Sequence, residues 1–91
     1  MSARRIFIAG HVQGVFFRAW TVSRAREIGV TGWVRNRKDG RVEVHAQGKP
    51  RALDRLIEKL REGSPASRVE SVRFEDAERE ACEGFVQRET R

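Results

Sequence analysis

The chain has one cysteine, Cys82, among 91 residues. No internal disulfide can form, and no cysteine-based metal centre can be assembled. No apolar run approaches the roughly 20 residues needed to cross a membrane. The start, Met1-Ser2-Ala3-Arg4-Arg5, lacks the apolar stretch of a secretory signal. There is no internal repeat and no low-complexity segment. These absences lead to the expectation of a cytoplasmic domain with reduced thiol, no membrane partner and no metal. The length leaves room for one domain, residues 1–91, with two layers of structure and no cofactor-binding lobe. The apolar share of 38 % argues against a disordered chain, although 35 % of the residues are charged.

Lysine is scarce, at three residues against sixteen arginines, and the net charge is +6. A basic balance suits nucleic acid, an anionic surface, a small anionic substrate, or solubility alone. The charge is uneven. Residues 75–83 carry a net −4, from Glu75, Asp76, Glu78, Glu80 and Glu83 against Arg79, so the rest of the chain carries +10. Arginine suits bidentate contact with phosphate or carboxylate.

The order of elements is readable. Ile6-Phe7-Ile8 is a short strand ending at Gly10. From Arg18 the pattern turns helical, with Val22, Ala25 and Ile28 three apart and Gly29 as the C-terminal cap. Val30 to Arg35 favours a strand, and Lys38-Asp39-Gly40 supplies a hairpin turn. In the next strand Val42, Val44 and Ala46 point one way, while Arg41, Glu43, His45 and Gln47 point outward. Pro50 opens a helix whose Leu53, Leu56, Ile57 and Leu60 form an apolar stripe. Gly63 and Pro65 end it. Val69, Val72 and Phe74 mark a fourth strand, the acidic stretch a turn, and residues 84–88 a short last strand. The order βαββαβ, plus a short fifth strand, is the ferredoxin-like split βαβ arrangement of the α+β class. It places two helices on one face of an antiparallel sheet. That fold hosts many functions, RNA binding among them.

The stretch Gly10-His11-Val12-Gln13-Gly14-Val15-Phe16-Phe17-Arg18 joins the first strand to the first helix. A loop of this kind directs backbone N–H groups and the positive end of a helix toward one point, which makes an anion site. Glycines let the anion approach the backbone, and Arg18 adds a cationic fork. Taken alone, the loop also fits a tight turn followed by a solvated arginine. It lacks the Lys-Ser/Thr ending of a nucleotide-binding loop and the glycine pattern of a dinucleotide site. Of the adjacent pair Phe16 and Phe17, one is expected in the core and the other at the mouth of the site.

Residues 10–18 match throughout the N-terminal signature of the acylphosphatase family, Gly-x-Val-Gln-Gly-Val-x-Phe/Tyr-Arg. Gly29-Val30-Thr31-Gly32-Trp33-Val34-Arg35-Asn36 matches its second signature. Asp39-Gly40, Val42-Glu43, Gly48, Gly63-Ser64-Pro65 and Gly84-Phe85 also resemble the family, so the likeness runs from about residue 4 to residue 88. Gln87 departs from it, standing where an apolar residue is frequent. The resemblance implies hydrolysis of small anionic acyl phosphates to a carboxylate and inorganic phosphate. It implies that the phosphoryl group is cradled by backbone amides of Val12, Gln13, Gly14, Val15, Phe16, Phe17 and Arg18. The Arg18 side chain would bind two of its oxygens, and Asn36 would hold the attacking water. No cofactor, metal or covalent phosphoenzyme is implied, and a monomer is expected. Outside the resemblance, Asn36 reads as a turn residue beside Asp-Gly. Trp20 and Trp33 read as packing residues, His11 and His45 as incidental, and Cys82 as a spectator thiol.

Two rivals share the fold. An RNA-recognition sheet would display aromatic residues on its middle strands for base stacking. The outward set Arg41, Glu43, His45 and Gln47 has none, so specific nucleic-acid binding is not expected. A degenerate relative, or a domain detached from a larger carbamoyl-transfer protein, is disfavoured by the presence of both Arg18 and Asn36.

Overall fold

The computed structural model describes residues 1–91. The elements are β1 (Ser2–His11), α1 (Phe17–Ile28), β2 (Thr31–Asn36), β3 (Val42–Gly48), α2 (Pro50–Glu62), β4 (Arg68–Asp76) and β5 (Phe85–Gln87). They form one sheet in the order β4-β1-β3-β2-β5. The two α-helices cover one of its faces, through the buried side chains of Phe17, Thr21 and Ala25 in α1 and Leu53, Leu56, Ile57 and Leu60 in α2. This is the ferredoxin-like α+β arrangement. The four long strands pair antiparallel. β5 instead joins β2 in parallel, Gly32 opposite Phe85 and Val34 opposite Gln87, so the sheet is mixed. The chain leaves one sheet edge at β4, crosses to the other through residues 77–84 and reverses. β5 therefore runs against β4 and along β2.

The apolar alternation of the strands meets the helix stripes at the core. Ile6, Ile8, Val34, Val42, Val44 and Ala46 pack against Phe17, Ala25, Leu53, Leu56, Leu60 and Phe85. The α2 stripe is the one its spacing predicts. In α1 the buried line is Phe17, Thr21 and Ala25, four residues apart, with Val22 and Ile28 only half-buried. Thr21 enters the core because its hydroxyl donates to the Phe17 carbonyl at 2.9 Å. β1 is longer than expected and carries Gly10 inside it, at a bulge against β4. Gly10 has φ +131°, and a Cβ there would lie 2.2 Å from the Arg68 carbonyl oxygen. Glu75 and Asp76 belong to β4 rather than to a turn.

The helix-free face corrects the expectation that Glu43, His45 and Gln47 point outward to solvent. All seven residues of β3 are buried. Segment 77–84 passes over this face. Gln47 Nε2 donates to the Glu80 carbonyl at 3.1 Å, the Glu80 N–H donates back to Gln47 Oε1, and Trp33 Nε1 donates to Glu80 Oε1 at 3.1 Å. Trp33 stacks on His45, with ring centroids 5.8 Å apart. His45 is thus a structural residue, hydrogen-bonded through Nε2 to Gln47 Oε1 at 2.8 Å. Glu43 receives Arg5 at 2.8 Å, Arg35 at 2.7 Å and Arg37 at 3.0 Å. Burial alone would push the Glu43 carboxyl up, but hydrogen bonds from Arg35, Arg37 and Arg5 outweigh it and hold it below the usual carboxylate range.

Candidate active site

Between β1 and α1 the chain turns through residues 12–16. Gly14 has φ +75° with open space where a Cβ would be, so backbone conformation rather than room requires glycine there. Phe16 precedes the helix in the left-handed region, φ 60° and ψ 24°, and α1 has no side-chain cap and no acidic residue in its first turn. The positive end of the helix dipole is therefore uncompensated. None of the N–H groups from Gln13 to Arg18 donates to a backbone carbonyl. Two hydrophobic anchors hold this row of free donors: Val12 and Phe17 are both buried, whereas the Phe16 ring is 87 % exposed. One phenylalanine of the pair is in the core and the other at the mouth.

Arg18 follows on α1. Arg4, Arg5, Arg24, Arg35, Arg37 and Arg41 are each tied to a carboxylate. Arg18 has no ion pair; its Nη1 donates to the Arg88 carbonyl, just past β5, at 3.2 Å. Those six guanidinium charges are paired with carboxylates, while that of Arg18, which lines the cavity, is not.

Asn36 ends β2. Its backbone carbonyl accepts from the Arg91 N–H at 3.0 Å, and the Lys38 N–H donates to the Arg91 carbonyl at 2.8 Å, so the C-terminal residues pin this strand end. Its side-chain Oδ1 is buried without a hydrogen-bond partner. Such an acceptor carries a real desolvation cost and is satisfied most simply by an ordered water. The hairpin beyond it is set by Asp39, whose carboxylate accepts from the Arg41 N–H at 3.0 Å and from Arg41 Nη2 at 2.9 Å. Those bonds, with Arg37, hold the Asp39 carboxyl well below the usual carboxylate range.

Gln13 joins the two halves. Its Nε2 donates to the carbonyls of Arg37 at 2.8 Å and Arg41 at 2.9 Å, across the mouth of the hairpin. The sequence marks Gln13 for its backbone amide; its side chain fixes the loop relative to Asn36.

These elements enclose a cavity of about 310 Å³ lined by Val12, Gly14, Phe16, Phe17, Arg18, Ala19, Asn36 and Gln87. Of the sequence-predicted residues, Gln13 and Val15 do not line it. Ala19 and Gln87 do, and were not predicted. Gln87 arrives through the parallel β2–β5 pairing, which the strand pattern does not signal. No carboxylate, imidazole or thiol lines the cavity, so its walls offer a metal no ligand of those types. One group of such ligands, His45, Glu80 and Cys82, lies on the helix-free face with ligand atoms within 4.8 Å of one another. The Arg5 guanidinium already contacts His45 Nδ1 at 3.5 Å and Glu80 Oε2 at 3.2 Å there. Burial pushes the Cys82 thiol up.

Free main-chain donors at a helix N-terminus, an unpaired guanidinium and a buried amide oxygen come together around one small cavity of this α+β domain, an arrangement able to hold an anion. The sequence profile of the acylphosphatase family matches residues 4–87. An acylphosphatase of Rhizorhabdus wittichii is 52 % identical over 88 residues, covering 97 % of this chain and 89 % of that protein. The crystal structure of acylphosphatase from Bacillus subtilis superposes with a TM-score of 0.91 at 38 % identity, covering 96 % of this chain and 98 % of that one. Full-length HypF in its phosphate- and nucleotide-bound form matches at a TM-score of 0.89 and 25 % identity, over 98 % of this chain but 12 % of HypF. The chain belongs to the acylphosphatase family.

Proposed function

We propose that the chain hydrolyses the carboxyl–phosphate anhydride of acyl phosphates, with the phosphoryl group cradled by the backbone amides of residues 12–18 and by Arg18, and the attacking water held by Asn36. The observation that carries this reading is the pairing, in one cavity, of unbonded loop amides with the partnerless Oδ1 of Asn36.

Phosphoryl transfer asks for positioning and charge stabilisation. In this reading the loop amides and Arg18 bind the equatorial oxygens of the phosphoryl group and stabilise the charge they carry in the transition state. Asn36 Oδ1 accepts from water while its Nδ2 donates to a phosphoryl oxygen. The water oxygen bonds to phosphorus, the bond to the acyl oxygen breaks, and its electron pair leaves on the carboxylate. The water proton passes to an oxygen of the same phosphoryl group, so a dianionic acyl phosphate and water give a carboxylate and dihydrogen phosphate. Charge balances without a protein base, in keeping with walls that offer no imidazole or carboxylate. A carboxylate leaving group is weakly basic, so an amide that orients water is sufficient.

In the same proposal residues 1–91 act as one monomeric domain in the reducing cytoplasm. No helix is long and apolar enough to cross a membrane. The test is hydrolysis of benzoyl phosphate with EDTA present, followed by loss of absorbance and release of inorganic phosphate. Turnover well above buffer is expected; a rate equal to buffer would overturn the reading.

A further inference from the structure

Beside the phosphate cavity lies an apolar groove of about 360 Å³. Its walls are Val15, Phe16, Ala19, Trp20, Pro65 and Ala66, completed by two serines. More than one residue in three of this chain is charged, yet none lines the groove. Phe16 and Ala19 line both spaces, so the groove opens directly from the cradle. Phe16 stands on the shared rim in a left-handed conformation, with its ring 87 % exposed. A large apolar side chain gains nothing from water, and a non-glycine residue is strained at that φ. An unfavourable placement of both backbone and ring at the edge of a site is where a ligand contact is to be sought.

We infer that this groove receives the acyl group of the substrate, and that the enzyme selects acyl phosphates with uncharged, apolar acyl groups. The inference rests on the acyl phosphate reading above and deepens it. A phosphoryl group seated on the loop amides leaves its acyl oxygen directed out of the cradle, past Phe16. The groove then covers the methylenes or ring that follow, with the Phe16 and Trp20 side chains as its aromatic walls. The other opening beside the cradle is lined by Arg35, Arg88, Glu89 and Arg91 and shares only Gln87 with it. It would suit an anionic tail, but Arg35 is held on Glu43 at 2.7 Å and Arg88 lies 4.8 Å above the Trp33 ring.

The experiment compares acetyl, butanoyl, hexanoyl and succinyl phosphates. A methylene half covered by the groove is worth about twofold in binding. From acetyl to hexanoyl phosphate, kcat/KM rises roughly tenfold, chiefly through KM, because contacts remote from the reacting atoms hold ground and transition states alike. Ala66→Gln fills the exposed end of the groove without adding charge. It reduces that ratio to below about threefold and leaves acetyl phosphate turnover unchanged. Phe16→Asn keeps a residue that tolerates the left-handed backbone while removing the ring, and it lowers the same ratio. Acetyl phosphate hydrolysed with no chain-length dependence, or succinyl phosphate preferred over butanoyl, would overturn the groove assignment and leave the activity standing. Failure to hydrolyse any of the four would overturn both.

Discussion

The Gln13 side-chain amide donates to the Arg37 carbonyl at 2.8 Å, and the same nitrogen reaches the Arg41 carbonyl at 2.9 Å. One carboxamide thereby sets the distance between the anion loop and the strand end that carries Asn36. Gln13→Ala removes both bonds and should destabilise the fold by about 1–2 kcal/mol. It should also lower kcat/KM for benzoyl phosphate by roughly tenfold or more, since small displacements of reacting groups are costly. Chemical denaturation and steady-state kinetics on one preparation separate the two effects. Unchanged kcat/KM in a folded Gln13→Ala protein would show that the loop holds its position without this tie.

Arg18 is the one guanidinium that lines the cavity, and it has no carboxylate partner, bonding just to the Arg88 carbonyl at 3.2 Å. Arg18→Ala should raise the inhibition constant of inorganic phosphate at least tenfold, and it should reduce kcat/KM by roughly a thousandfold. Arg18→Lys should restore little, because an ammonium cannot present two parallel donors. Stability should barely move, since the side chain is part-exposed and makes one neutral contact. Full rescue by lysine would reduce the role of Arg18 to that of a point charge.

Asn36 behaves differently in the same assay. Its Oδ1 is buried with no partner, so Asn36→Ala removes an unsatisfied acceptor and costs the fold little. Turnover should fall by about a hundredfold or more, while phosphate still competes with near-normal affinity through the loop and Arg18. Loss of phosphate affinity equal to the loss of turnover would show that Asn36 binds the anion and does not hold the water.

How far the site was readable follows from where its contacts lie along the chain. The cradle and Arg18 are written in nine consecutive residues, and Asn36 ends a recognisable strand beside a hairpin turn. The Gln13 contact spans 24 residues and the Gln47–Glu80 contact 33. Neither leaves a periodic trace. Alternation in β3 shows that Glu43, His45 and Gln47 share a face. It carries no information on whether another segment covers that face, and here residues 77–84 do. Gln87 enters the cavity because the chain reverses after crossing the sheet, a turn of topology that three strand residues cannot announce. The apolar walls of the groove are scattered over residues 15–16, α1 and residues 65–66, so they too become a surface only on folding.

Glu43 makes acid stability a test of the buried charge layer. Its carboxyl is held below the ordinary value of 4.5 in the folded chain, hydrogen bonds from Arg35, Arg37 and Arg5 outweighing burial. A depressed folded pKa means that its contribution is fully present above about pH 4.5. It is lost as pH falls through the lower folded value, because the unfolded chain takes up the proton first. Unfolding free energy by urea titration should therefore show little dependence on Glu43 between pH 7 and 5, then drop below about pH 4.5. Glu43→Gln should cost roughly 2 kcal/mol at pH 7, less than for a fully buried pair because the three arginine side chains are 18–32 % exposed. At pH 3 the gap between the two proteins should narrow, since the unfolded wild-type chain then takes up a proton at residue 43 that the variant cannot. An equal gap at both pH values would assign the loss to packing around residue 43 and not to its charge.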